Sequence, residues 1–188
     1  MKKSEALELI NKEISVCKKC ELSKTKINYV FGSGNPNSSI VFIGEAPGRE
    51  EDEFGIPFVG RSGKLLNNIL IACGLTRDSV FILNILKCRP PNNRTPTKEE
   101  ADNCKLYLGL QLKVLNPKCI ICLGGCASKN LLDLESPISS LRGKTFEYAK
   151  TPVICTFHPS YALRNPVAKK DIFADILIAL NLCHSEVQ

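Results

Sequence analysis

The sequence predicts an α/β fold in which a four-stranded parallel sheet is covered by helices on both faces. Residues 40–44, 80–84, 119–123 and 153–157 form four short, nearly unbroken apolar runs, the pattern of strands buried on both faces. The stretches between them carry apolar residues at helical spacing. Each run also ends in polar or glycine-rich sequence: Gly44-Glu45-Ala46-Pro47-Gly48, Asn84, Gly124-Gly125 and His158-Pro159-Ser160.

In chain order, Ser4 is expected to cap a first helix with Leu7, Ile10 and Ile14 on one face. A loop follows over 17–39, then the first strand. Leu65, Leu66, Ile69, Leu70 and Cys73 give a helix over 63–73. After the second strand, Thr97 and Glu100 make a capping box for a helix striped with Ala101, Cys104, Leu108, Leu112 and Leu115. Ile172, Phe173, Ile176, Leu177 and Leu180 mark a final helix. Alternating strands and helices of this kind form layered parallel sheets.

With 188 residues, 44% hydrophobic and 23% charged, the chain is expected to form one domain over 1–188. It contains no apolar run near the roughly 20 residues that cross a bilayer, and it begins with Met1-Lys2-Lys3-Ser4-Glu5 rather than an apolar leader. A protein of the cytoplasm, or of the nucleus if its source has one, with no membrane role is therefore expected; it is also expected to be a monomer. The net charge of +6 is mild in itself. Its distribution says more: Lys18, Lys19, Lys24 and Lys26 surround the first cysteine pair, Arg89 and Arg94 flank a proline-rich loop, and Arg164, Lys169 and Lys170 follow His158. Such clusters suit a phosphate backbone.

The ten cysteines are expected to be reduced thiols, some of them metal ligands. Cys17-x-x-Cys20 lies in a loop, where both sulfurs can turn to one metal. Cys88 opens the loop after the second strand, and Cys104 lies in the next helix. Cys119-x-x-Cys122 has the same spacing but sits on a strand, where three residues send two side chains to opposite faces. Cys73, Cys126, Cys155 and Cys183 are expected to act as small hydrophobes. Four thiolates suit zinc or iron–sulfur equally.

In open parallel sheets ligands bind beyond the carboxyl ends of the strands, so the four polar segments should meet in one crevice. There the Asn84 amide, with one acceptor and one donor, can accept a hydrogen bond from N3–H of uracil and donate one to O4. Cytosine opposes it at both positions, each buried mismatch costing about 1–3 kcal/mol. Phe58, in Pro57-Phe58-Val59-Gly60, can stack on a base. His158 can donate to O2 as charge develops on a departing base. Glu45, Glu50, Glu51 and Asp52 are carboxylates that could orient a water or stabilise a cationic sugar. Alone, Asn84 would read as a turn residue, Phe58 as core, and the acidic run as a solvated surface.

Together these residues resemble the family 4 uracil-DNA glycosylases. The match runs from Cys17 to the final helix. It rests on Gly44-Glu45-Ala46-Pro47-Gly48, Pro57-Phe58-Val59-Gly60, Asn84-x-x-Lys87-Cys88-Arg89-Pro90-Pro91 and His158-Pro159-Ser160, in that order. The resemblance implies a three-layer α/β/α fold and a [4Fe–4S] cluster held by Cys17, Cys20, Cys88 and Cys104. It also implies a monofunctional enzyme that hydrolyses the N-glycosidic bond of uracil in single- or double-stranded DNA and leaves an abasic site. By the same comparison Asn84 reads uracil, Phe58 stacks on it and His158 contacts O2. Gly44, Glu45 and Ala46 shape the pocket, Glu51 is a nearby acidic position, and Leu163 is the wedge that fills the emptied stack. A related family has a water-activating aspartate where this chain has Ala46. A further branch bonds covalently to uracil through a histidine in an inserted loop; this chain has no histidine between Phe58 and Cys104, so turnover is expected. A non-catalytic DNA-binding module and an enzyme for deaminated purines are the alternatives.

Overall fold

Strands that are apolar on both faces need helices on both sides, and the chain supplies them. The computed structural model describes residues 2–185; Met1 and residues 186–188 of the expected domain lie outside them. Helix α1 (Lys3–Ser15) is followed by the single turn α2 (Leu22–Thr25) and strands β1 (Ser33–Gly34) and β2 (Ile40–Gly44). Helices α3 (Arg49–Phe54) and α4 (Arg61–Ala72), strand β3 (Phe81–Asn84), helix α5 (Lys98–Leu115), strand β4 (Cys119–Leu123) and helix α6 (Gly125–Leu132) come next. The chain continues through α7 (Ile138–Leu141), β5 (Thr145–Tyr148), β6 (Thr151–Thr156), α8 (Pro159–Arg164) and α9 (Ala168–Ser185). No described helix is long and apolar enough to cross a membrane.

The sheet order is β1-β3-β2-β4-β6-β5. Its four central strands are the expected ones, and they are mutually parallel. The two edges add antiparallel strands that the sequence does not announce. β1 is two residues long, and β5 alternates only between exposed and half-buried positions. β5 and β6 are joined by Ala149 and Lys150, both at positive φ (47° and 70°), a hairpin turn made without its usual Asn-Gly.

Alternation within the strands builds the three layers. Val41, Ile43, Ile120, Cys122 and Val153 point into a core with α1, α5 and α6. Ile40, Phe42, Cys119, Ile121 and Ile154 point the other way, onto α4, α8 and α9. Cys119 and Cys122 therefore lie in different cores, as expected of their spacing on a strand.

Helix ends follow local chemistry. Thr97 Oγ1 accepts the Glu100 N–H at 3.2 Å, and Glu100 Oε2 accepts the Thr97 N–H at 2.9 Å, closing the predicted box. α1 departs from expectation because it starts at Lys3, so Ser4 is inside the helix rather than its cap. Glu5 closes that end instead, its Oε2 accepting the Lys2 N–H at 3.0 Å. The long 17–39 connection is pinned to α3 by buried Asp52, whose Oδ1 accepts the N–H groups of Ile27 (3.0 Å) and Asn28 (3.3 Å).

Candidate active site

The carboxyl ends of β2, β3, β4 and β6 open on the same side, at the point where strand order reverses around β2. Here Glu45, Ala46, Glu51, Phe58, Asn84 and His158 line one pocket of about 310 Å³. The Phe58 and His158 rings stand 5.6 Å apart at 33°. Gly44 is the floor beneath two of these side chains: a Cβ there would lie 2.5 Å from Asn84 Oδ1 and 2.6 Å from Phe58 Cζ. Only a residue without a side chain allows Asn84 and Phe58 to approach each other this way.

Asn84 is the last residue of β3 and is buried. Its Oδ1 is buried with no hydrogen-bond partner among the described residues, an arrangement that is costly unless a ligand supplies the donor. Its own carbonyl is gripped by Lys87, whose Nζ donates at 2.8 Å. Burial pushes this ammonium down to about 8, with the nearby Cys104 and Cys88 thiols opposing that shift. Lys87 is visible in the sequence only as part of a motif; its burial beneath Asn84 is not.

His158 caps α8. The Ser160 N–H donates to its Nδ1 at 3.1 Å, and Ser160 Oγ is 2.7 Å from the same nitrogen. A backbone N–H can only donate, so Nδ1 accepts and the neutral ring carries its proton on Nε2. Burial pushes the imidazole down to about 4, with Glu51 opposing and Arg164 adding to the shift. The ring is thus neutral near pH 7.

The two expected carboxylates differ. Glu51 is buried, its Oε1 accepting from Val59 N and Gly60 N at 2.9 Å each and its Oε2 from Gly48 N at 3.1 Å. Its carboxylate is engaged in holding the loop that carries Phe58. Glu45 is half-buried, and burial raises its carboxyl above the usual carboxylate value, partly offset by a hydrogen bond with Cys126. Cys126 therefore departs from the expected small hydrophobe: it sits beside Glu45, with Asn130 Nδ2 donating to its sulfur at 3.4 Å. Behind Glu45 opens a wider cleft of about 670 Å³ between α5 and α6. Leu163 is exposed on α8, outside the pocket lining.

Cys17, Cys20, Cys88 and Cys104 come together elsewhere, lining one small cavity with Lys87 and Tyr107. Burial pushes the Cys88 thiol up to about 12, and the other three thiols add to it. Among the described residues, no group of three or more His, Cys, Asp or Glu is placed to hold a metal ion. Several of the basic residues are committed within the protein. Lys24 pairs with Glu21, and Lys19 and Lys26 lie over the rings of Tyr107 and Tyr29. Arg94 donates to both Glu100 oxygens, at 2.8 and 2.6 Å.

Comparison with known proteins gives the chain's family. The family model of the uracil DNA glycosylase superfamily matches residues 31–181. The type-4 uracil-DNA glycosylase of Archaeoglobus fulgidus is 48% identical, over 95% of this chain and 94% of that protein. The type-4 enzyme of Thermotoga maritima is 44% identical, over 87% of this chain and 86% of its own. That of Sulfurisphaera tokodaii is 42% identical, over 91% and 82% respectively. A pocket at four strand tips, a polar amide at its base and this breadth of similarity lead to one assignment: the chain belongs to the uracil DNA glycosylase superfamily, among the type-4 uracil-DNA glycosylases.

Proposed function

We propose that the strand-tip pocket receives a uracil flipped out of DNA and that Asn84, Phe58, His158 and Glu45 divide the work of removing it. The chain is a uracil-DNA glycosylase, a hydrolase of N-glycosyl bonds acting in DNA repair. The observation that carries the site reading is the unpartnered Oδ1 of Asn84, buried beside the Phe58 ring. Uracil N3–H would supply the missing donor, while the amide nitrogen gives to O4. Phe58 stacks on the base, and Nε2–H of the neutral His158 donates to O2. As the bond from N1 to the sugar breaks, its electron pair stays on uracil, and O2 takes up much of the charge. Water adds to the sugar carbon and yields its proton to Glu45, since Ala46 offers no acid or base. Leu163, exposed on the helix that His158 caps, is the side chain that fills the gap left in the base stack.

The experiment is direct. Purified protein should cut a uracil-containing oligonucleotide at uracil only after alkali, the mark of an abasic site without strand cleavage. An intact strand after alkali would remove the enzyme reading.

Cys17, Cys20, Cys88 and Cys104 would hold a [4Fe–4S] cluster. Four thiols lining one cavity are the donor set that an iron–sulfur cluster takes, and the type-4 family supplies the choice of iron over zinc. Such a cluster would tie the N-terminal loop, the loop after β3 and α5 together through the four thiolates. Purified protein is expected to be brown. Cys17→Ser should lose the visible absorption and the iron, whereas Cys119→Ser, altering a thiol in the other core, should keep both. Iron retained by Cys17→Ser and lost by Cys119→Ser would overturn the ligand set.

A further inference from the structure

Phe58 does not hold its position by packing alone. Its φ is +53°, a left-handed conformation that is rare for a bulky side chain. Gly63 makes room for it, since a Cβ there would overlap the Phe58 carbonyl. Two side chains, one acidic and one basic, grip the backbone on either side. Glu51 takes the N–H groups of Val59 and Gly60 at 2.9 Å. Arg77, in a single 3₁₀ turn (Arg77–Ser79) between α4 and β3, takes the carbonyls. Its Nη2 donates to Pro57 O at 2.6 Å and its Nη1 to Phe58 O at 2.9 Å. The same guanidinium reaches Asn67 Oδ1 at 3.3 Å and Ser33 Oγ at 3.4 Å.

We propose that Arg77 is a positioning residue for base recognition: its grip on the Pro57 and Phe58 carbonyls holds the Phe58 ring over Gly44, preformed for stacking on the flipped base. The inference rests on the reading of Phe58 as the stacking surface. Two adjacent carbonyls match the planar fork of a guanidinium, and a lysine ammonium offers no such fork. Without the grip, two carbonyls lose charge-assisted partners, and the turn at Phe58 can relax toward extended backbone. The ring then leaves its place against Asn84 and His158.

The test is a double-mutant cycle on uracil release and on inhibition by free uracil, with thermal melting as a control. Arg77→Met should lower kcat/KM about 10- to 100-fold, the scale of an ångström-sized misplacement at an active site. It should weaken inhibition by free uracil in parallel. Arg77→Lys, which keeps the charge and not the fork, is carried through the same cycle and should fall between Met and wild type. Combined with Phe58→Leu, either Arg77 change should add little to the loss from Phe58→Leu alone, because both act through one ring. Losses that multiply in the double variants, or unchanged inhibition by uracil with a lowered melting temperature, would mean that Arg77 only stabilises the fold. Undiminished uracil binding by Phe58→Leu would instead sink the stacking role itself, and with it the proposal.

Discussion

Replacing Asn84 by aspartate should slow uracil removal about 100- to 1,000-fold, with faint activity on cytosine appearing in its place. Asn84 sits at the tip of β3 with its Oδ1 unpartnered and its backbone carbonyl held by Lys87. In the proposed complex the amide would meet both uracil positions, accepting at N3–H and donating at O4. A carboxylate only accepts, so it keeps the first contact and sets oxygen against oxygen at the second. Two adverse terms of about 1–3 kcal/mol each, one lost bond and one repulsion, sum to about 2–6 kcal/mol, and that range lies within the span. With cytosine the carboxylate gains the exocyclic amine as donor and opposes only N3, which accounts for a weak new activity rather than an exchange of specificity. Single-turnover rates on matched oligonucleotides carrying uracil or cytosine, developed with alkali, measure both effects. A variant within threefold of wild type on uracil would show that Asn84 does not read the base.

How much of this site is legible in the sequence depends on where each residue's partner lies. The four central strands are legible because a short, continuous apolar run bounded by polar residues suits a strand covered on both faces. The strand period also correctly sets Cys119 and Cys122 in opposite cores. The convergence of Glu45, Asn84 and His158 follows from topology, since parallel strand tips share one end of the sheet; Phe58 is brought to them by the loop between α3 and α4. β5 is not legible: its half-exposed alternation is weak, and Ala149-Lys150 lacks the composition of a hairpin turn. Ser4 misleads because a serine before an apolar stripe is a good cap in general, yet here Glu5 reaches the end of the helix first.

The supporting residues are hidden for a different reason. Glu51 stands in an acidic run that would ordinarily be solvated; the Gly48 N–H reaches it locally at the start of α3, and the turn through Val59 and Gly60 brings two more N–H groups onto it. Arg77 is an ordinary arginine in a connection, and its four acceptors come from three other segments. Lys24, Lys26 and Arg94, which read as phosphate contacts, also have partners within the chain, the Lys24–Glu21 pair lying exposed on the surface. Sequence motifs mark the residues that would touch a base, whereas the groups that hold them still are defined by tertiary contacts.

Removing His158 should cost about 100- to 1,000-fold in the single-turnover rate, the range seen when one donor to a developing negative charge is deleted. His158→Ala leaves the O2 charge without its donor, while His158→Gln, which retains an N–H, should recover part of the loss. The pH dependence distinguishes this role from a protonated-histidine mechanism. Since burial holds the ring down to about 4, Nε2–H is the donor throughout the neutral range, and the wild-type rate should show no step near 6.5. Activity should instead fall on the acid side as Glu45 takes up its proton, above the ordinary carboxylate range because burial raises that group. Glu45→Gln should remove this limb along with most of the rate. Stability gives the complementary sign. The folded ring binds a proton less readily than the unfolded one, so His158 contributes fully above about 6.5, and stability falls as the pH drops from there toward 4. His158→Gln should flatten that slope in a melting series from pH 7 to 4. A wild-type rate that breaks near 6.5 and follows protonation of His158 would mean that the imidazolium, rather than the neutral ring, meets the departing uracil.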